Sequence, residues 1–110
     1  MAKQKSLFPI IRALSLPEDV RIAVTQVKNR IGRGLPPRAQ TFRNRPAVLP
    51  NLDDGCQYYE FQVGAAHPDD QRPAGQRRLV VEVNEKALQV REIYFTDQHY
   101  ASGSFQRIVS

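Results

Sequence analysis

The chain has 110 residues, a formal net charge of +5 and one cysteine, Cys56, with a pI near 9.8. That length supports one domain with a single modest core. The lone cysteine excludes an internal disulfide, and no apolar run reaches the length of a membrane helix. The positive balance points to polyanionic partners, nucleic acid ahead of acidic proteins or lipid headgroups.

Residues 1–14 read as a mobile lead-in. The start, Met1-Ala2-Lys3-Gln4-Lys5, is basic, but Pro9 and Arg12 interrupt the apolar stretch that a signal peptide requires. Ser15-Leu16-Pro17-Glu18 fits a capping box, with Ser15 at the N-cap and Pro17 in the first turn. Val20, Ala23, Val24, Val27 and Ile31 then fall on one stripe at helical spacing, which marks a core-facing helix ended by Gly32 and Gly34. Residues 32–40, with Pro36-Pro37, form a loop. Thr41-Phe42-Arg43 suits a short strand, and Pro46 prevents regular pairing beyond it. Residues 51–55 are a turn.

The next run, Gln57 to Val63, is a strand. Alternation sets Tyr59, Phe61 and Val63 on one face and Tyr58, Glu60 and Gln62 on the other. After Gly64 comes a polar, proline-containing loop over residues 65–75. In the following strand Leu79, Val81 and Val83 share a face, opposite Arg78, Val80 and Glu82. Residues 84–87 read as a hairpin turn into a strand over 88–96. Its apolar positions change phase between Leu88/Val90 and Ile93/Phe95, which requires a bulge or strong twist. Residues 105–109 suit a final strand. The expected class is α+β, with the N-terminal helix packed on one face of a twisted antiparallel sheet and the other face open.

On that open face this register leaves Glu60 and Arg78. Arg77 stands beside Arg78, and Asp97-Gln98-His99-Tyr100 closes the strand after next. A carboxylate, a histidine and fixed positive charge gathered by adjacent strands are the parts of metal-free phosphodiester cleavage. A single acid on a strand face is more often solvated; the combination carries the weight. No Cys/His/Asp cluster stands at ligand spacing, so neither metal nor cofactor is expected. His67, beside Pro68, reads as a surface residue, and Cys56 as a small, semi-buried apolar one.

From Phe42 to Ile108 the sequence resembles the microbial guanyl-specific ribonucleases, the family of barnase and the streptomycete ribonucleases. Phe42-Arg43-Asn44-Arg45 with Val48-Leu49-Pro50 is similar to the family's base-binding loop, and Tyr58-Tyr59-Glu60-Phe61-Gln62-Val63 to its catalytic-glutamate strand. Arg77-Arg78-Leu79-Val80 and Thr96-Asp97-Gln98-His99-Tyr100-Ala101 follow in family order. The resemblance implies an endoribonuclease acting on single-stranded RNA, with Glu60 as general base, His99 as general acid and Arg78 on the phosphoryl oxygens. It implies phosphate contacts from Arg77, Tyr100 and Arg72, and base contacts from Phe42, Arg43, Asn44 and Arg45. It also implies export or delivery as a toxin and a small acidic inhibitor protein; a monomer without membrane association is expected. Two positions depart from the pattern. Pro46 stands where the family usually carries an acid facing guanine, and Ala74 where it carries a further arginine, with Arg72 as its substitute here. Guanine preference therefore stays open, and a weak or inactive nucleic-acid- or protein-binding module is the competing expectation.

Overall fold

Residues 8–34, 40–44, 48–63, 77–98, 100, 101 and 103–109 are described by the computed structural model. The helical stripe folds as its spacing dictates. Helix α1 spans Glu18–Gly32 and buries Val20, Val24, Val27 and Ile31. The capping box does not form. Pro17 is the N-cap and no side chain caps the helix. Ser15 instead ends a 3-10 turn, Ala13–Ser15, because Leu16 is drawn into the core at 4% exposure. Glu18 and Asp19 supply the first turn with negative charge that suits the helix dipole. Past the helix, Gly34 takes φ 121°, a conformation that favours glycine.

Strands β1 (Ile10–Arg12), β2 (Gln40–Thr41), β3 (Cys56–Gln62), β4 (Arg78–Asn84), β5 (Gln89–Thr96) and β6 (Gln106–Val109) form one six-stranded sheet in the order β1-β6-β5-β4-β3-β2. Neighbours are antiparallel except β1 and β6, which run parallel with Ile10 opposite Arg107. Part of the expected lead-in is thus an edge strand. The predicted phase change is also present. Glu82 pairs with Glu92 but Val83 pairs with Val90, so Arg91 is the extra residue of a bulge.

The alternation of β3 and β4 sorts residues between two clusters. Tyr59, Val63, Leu79, Val81, Val83, Ile93 and Phe95 pack with the helix stripe. On the other face, Phe42, Val48, Leu49, Tyr58, Val80, Tyr94 and Phe105 make a second cluster, joined by Phe8, Leu52 and Tyr100. This face is therefore open only in part. Its rings meet edge-on, Tyr58 with Tyr94 at 6.3 Å and Phe42 with Tyr58 at 6.3 Å between centroids, the geometry that ring quadrupoles favour.

Leu79→Ala removes a fully buried side chain from the centre of the helix-side cluster. It is expected to cost about 2–5 kcal/mol, read from urea unfolding curves. Burial, then the Glu85 carboxylate, pushes the Tyr59 phenol from 10.0 up to about 12, and burial drives Tyr58 and Tyr94 up as well. These groups hold their protons more tightly when folded, so their contribution is intact below pH 10.0 and lost as pH rises towards 12. Alkaline unfolding coincident with phenolate absorbance checks this; phenolate formation well before unfolding would contradict it.

Candidate active site

Strand register brings Glu60 and Arg78 together. Glu60 lies opposite Val80 and Arg78 opposite Gln62, so the two are diagonal neighbours on one face, a spacing of about 7–8 Å between backbones. Arg78 is 6% exposed and its Nη1 donates to the Arg77 carbonyl at 2.8 Å, which fixes the guanidinium's direction. Tyr100 completes the group. The Arg78 guanidinium carbon lies 5.9 Å from the centre of the Tyr100 ring. Burial pushes the Tyr100 phenol up to about 12, Glu60 adding to the rise and Arg78 opposing it, so it remains a neutral donor between the two. Gln40, Glu60, Phe61, Gln62, Arg78 and Tyr100 line a cavity of about 180 Å³.

Tyr100 is held there at a cost. Its φ of 66° is left-handed for a residue with a side chain, worth about 1–3 kcal/mol of strain. Its neighbours enforce the turn. Ser104 Oγ donates to the Ala101 carbonyl at 2.5 Å and accepts from Thr96 Oγ1 at 2.6 Å, while Thr96 Oγ1 accepts from Gln98 N–H at 3.1 Å. The ring also packs on Phe42, 5.1 Å away.

A second cavity, of about 470 Å³, adjoins the first along β2. Thr41, Phe42, Arg43, Asn44, Leu52, Gln57 and Tyr58 line it. Asn44 organises its rim. Its Oδ1 accepts from the Val48 and Leu49 N–H groups at 2.9 and 3.0 Å, and its Nδ2 donates to the Leu49 carbonyl at 2.7 Å. The Asn44 side chain thus closes its own loop, and the base contact expected at Asn44 falls to its backbone amide. Phe42 is locked in the aromatic cluster, whereas Arg43 is exposed.

Arg77 departs from expectation. Alternation turns it to the helix side, where Nη2 meets Asp19 Oδ2 at 2.5 Å and holds that carboxyl below its usual range. It ties the helix start to β4 and stands away from the Glu60 cavity. His99, Arg72, Arg45, Pro46, Ala74 and His67 lie outside the described residues. Cys56 is half-buried, its thiol pushed up by burial and by Glu82, which suits a packing role. No group of residues able to hold a metal occurs among the described residues. Sequence reading missed Gln40, which pairs directly with Glu60, and also Gln57 and Leu52. Only the register of a two-residue strand could have singled out Gln40.

A family model described as ribonuclease matches residues 6–109. No curated protein sequence matches the chain. Among solved structures, ribonuclease Sa2 in complexes with mononucleotides is 26% identical with a TM-score of 0.65, covering 94% of this chain and 95% of its own. Ribonuclease Sa2 with guanosine-2′-cyclophosphate is 27% identical (TM-score 0.61; 93% and 96% covered), and with 3′-GMP 26% identical (0.62; 93% and 97%). Fold and site thus define a ribonuclease, an endonuclease whose substrate is RNA. The chain belongs to the microbial guanyl-specific ribonuclease family.

The two adjacent arginines should separate in function. Arg78→Ala is expected to lower kcat/KM for RNA about 10²–10³-fold, while Arg77→Ala leaves it near the parent value. Equal losses in a steady-state assay would contradict this placement.

Proposed function

We propose that the chain cleaves single-stranded RNA by metal-free transesterification through a 2′,3′-cyclic phosphate. The observation carrying this reading is the adjacency of the two cavities. Gln40 of β2 lines the one with Glu60 and Arg78, and Thr41 lines the aromatic one next to it. One nucleotide can lay its base in the larger cavity and its 3′-phosphate in the smaller.

In that pose Glu60 takes the proton of the ribose 2′-hydroxyl, and the 2′-oxygen forms a bond to phosphorus. The bond from phosphorus to the 5′-oxygen breaks, and that oxygen takes a proton from the His99 imidazolium. Arg78 meets the charge that grows on the phosphoryl oxygens. Tyr100, neutral up to high pH, donates beside it. Water then opens the cyclic phosphate, with the acid and base roles exchanged. His99 takes its role from the family order of motifs and from its place in sequence directly before Tyr100. Because the substrate supplies the nucleophile, the chemistry asks nothing of a metal.

Ribonuclease Sa2 binds guanosine-2′-cyclophosphate and 3′-GMP, which supports a guanine nucleotide in the larger cavity here. Phe42 offers its ring edge to the base, Asn44 shapes the loop, and Arg43 flanks the entrance. The net charge of +5 suits both RNA and a small acidic inhibitor protein.

Glu60→Gln keeps the side chain's shape and removes the base. It should lower kcat/KM about 10²–10⁴-fold with an unchanged melting temperature. Unchanged cleavage would sink the mechanism and favour a binding module. Activity should also persist in excess chelator; its loss there would count against metal-free chemistry.

A further inference from the structure

The cavity that holds Glu60 and Arg78 contains an amide to which the mechanism above gives no task. Gln40 lies directly opposite Glu60 in the β2–β3 ladder. The Phe42 N–H donates to the Tyr58 carbonyl at 2.9 Å, so Phe42 and Tyr58 form a hydrogen-bonded pair. Gln40 with Glu60 is the next pair of that kind along the ladder. Partners in such a pair stand about 5.5 Å apart at Cα and turn their side chains to the same face. Both residues line the cavity of about 180 Å³.

Three adjacent strands thus present Gln40, Glu60 and Arg78 in that order, with the carboxylate in the middle. The two flanks differ. Arg78 is buried, tied to the Arg77 carbonyl and stacked near Tyr100. Gln40 is exposed, and its amide makes no hydrogen bond among the described residues. With the phosphate between Glu60 and Arg78, and the base in the cavity lined by Thr41 and Phe42, the ribose joining them crosses the β2 side of Glu60, over Gln40. A glutamine amide donates through Nε2 or accepts through Oε1. Beside a carboxylate, which only accepts, the donor end is the one that turns inwards.

We propose that Gln40 is a further substrate-contacting residue, its Nε2 donating to the ribose 2′-oxygen as that oxygen gives its proton to Glu60. The oxygen bonds to phosphorus through one lone pair and accepts from Gln40 through the other; Gln40 keeps its own proton. This hydrogen bond strengthens as negative charge grows on the attacking oxygen, so it stabilises the transition state more than the bound substrate. It rests on the nucleotide placement proposed above, and adds to Glu60 a second group that recognises the 2′-hydroxyl.

The test sets a 2′-hydroxyl against a 2′-hydrogen in the parent and in Gln40→Leu, which keeps similar bulk and removes the donor. Calorimetry with guanosine 3′-phosphate and 2′-deoxyguanosine 3′-phosphate needs no turnover. The ribonucleotide is expected to bind about threefold to tenfold more weakly in the variant, while the deoxynucleotide keeps its parent affinity. Equal losses for the two ligands, or no loss for either, overturn the proposal. The kcat/KM for the dinucleoside phosphate GpC should fall further, about tenfold or more; an unchanged value also overturns it. Gln40→Met removes the donor at similar length and should act in the same way, which covers a failure of the leucine variant to fold. If the parent does not cleave GpC but only the ribonucleotide weakens in the variants, the contact to the 2′-oxygen stands and the cleavage mechanism falls.

Discussion

The pairing of β3 with β4 is the constraint on which the site depends. Glu60 opposite Val80 and Gln62 opposite Arg78 put a carboxylate and a guanidinium on one face, lining the same cavity from adjacent strands. Slippage by one residue would send one of them to the helix side, because side chains alternate with a period of two. What prevents slippage is packing on both faces. Leu79, Val81 and Val83 are fully buried against the helix, and Tyr58 and Val80 are fully buried on the other side. A shifted register would place Arg78 and Glu82 in the helix-side core, where burying charge is far more costly than any local gain.

The second aromatic cluster has a functional consequence. Phe42 and Tyr100 belong to the cluster and also line the two cavities. Side chains proposed to meet base and phosphate are thus held by the same ring contacts that stabilise this face, so little ordering remains for substrate binding to supply. Asn44 plays a similar part. Its side-chain amide closes a loop around Val48, Leu49 and Pro50, and through the Pro50 carbonyl that loop is joined to Tyr58.

Sequence carried much of this. The helical stripe, the faces of β3 and β4 and the bulge in β5 all follow from hydrophobic period, because each is decided by which side chains must leave water. What escaped has a physical reason in each case. The pairing of β1 with β6 joins the two ends of the described chain, and three residues with Ile10 exposed give no periodic signal. The capping box at Ser15 was a sound local signal overruled by burial of Leu16. Arg77 and Arg78 look alike as neighbours in sequence, yet alternation and Asp19 on the helix divide them. Gln40 was invisible because an amide on a strand edge gains meaning only when the register is known.

The central claim is that the substrate's own 2′-oxygen attacks a phosphate held between Glu60 and Arg78. End-group analysis of products from a short RNA tests it most directly, beside the same oligomer carrying one 2′-deoxy sugar at the cleaved position. The account predicts a 2′,3′-cyclic phosphate that appears first and is later opened to a 3′-phosphate, with no cleavage at the deoxy position. Cleavage at the deoxy sugar, or products ending directly in a 5′-phosphate, would contradict it.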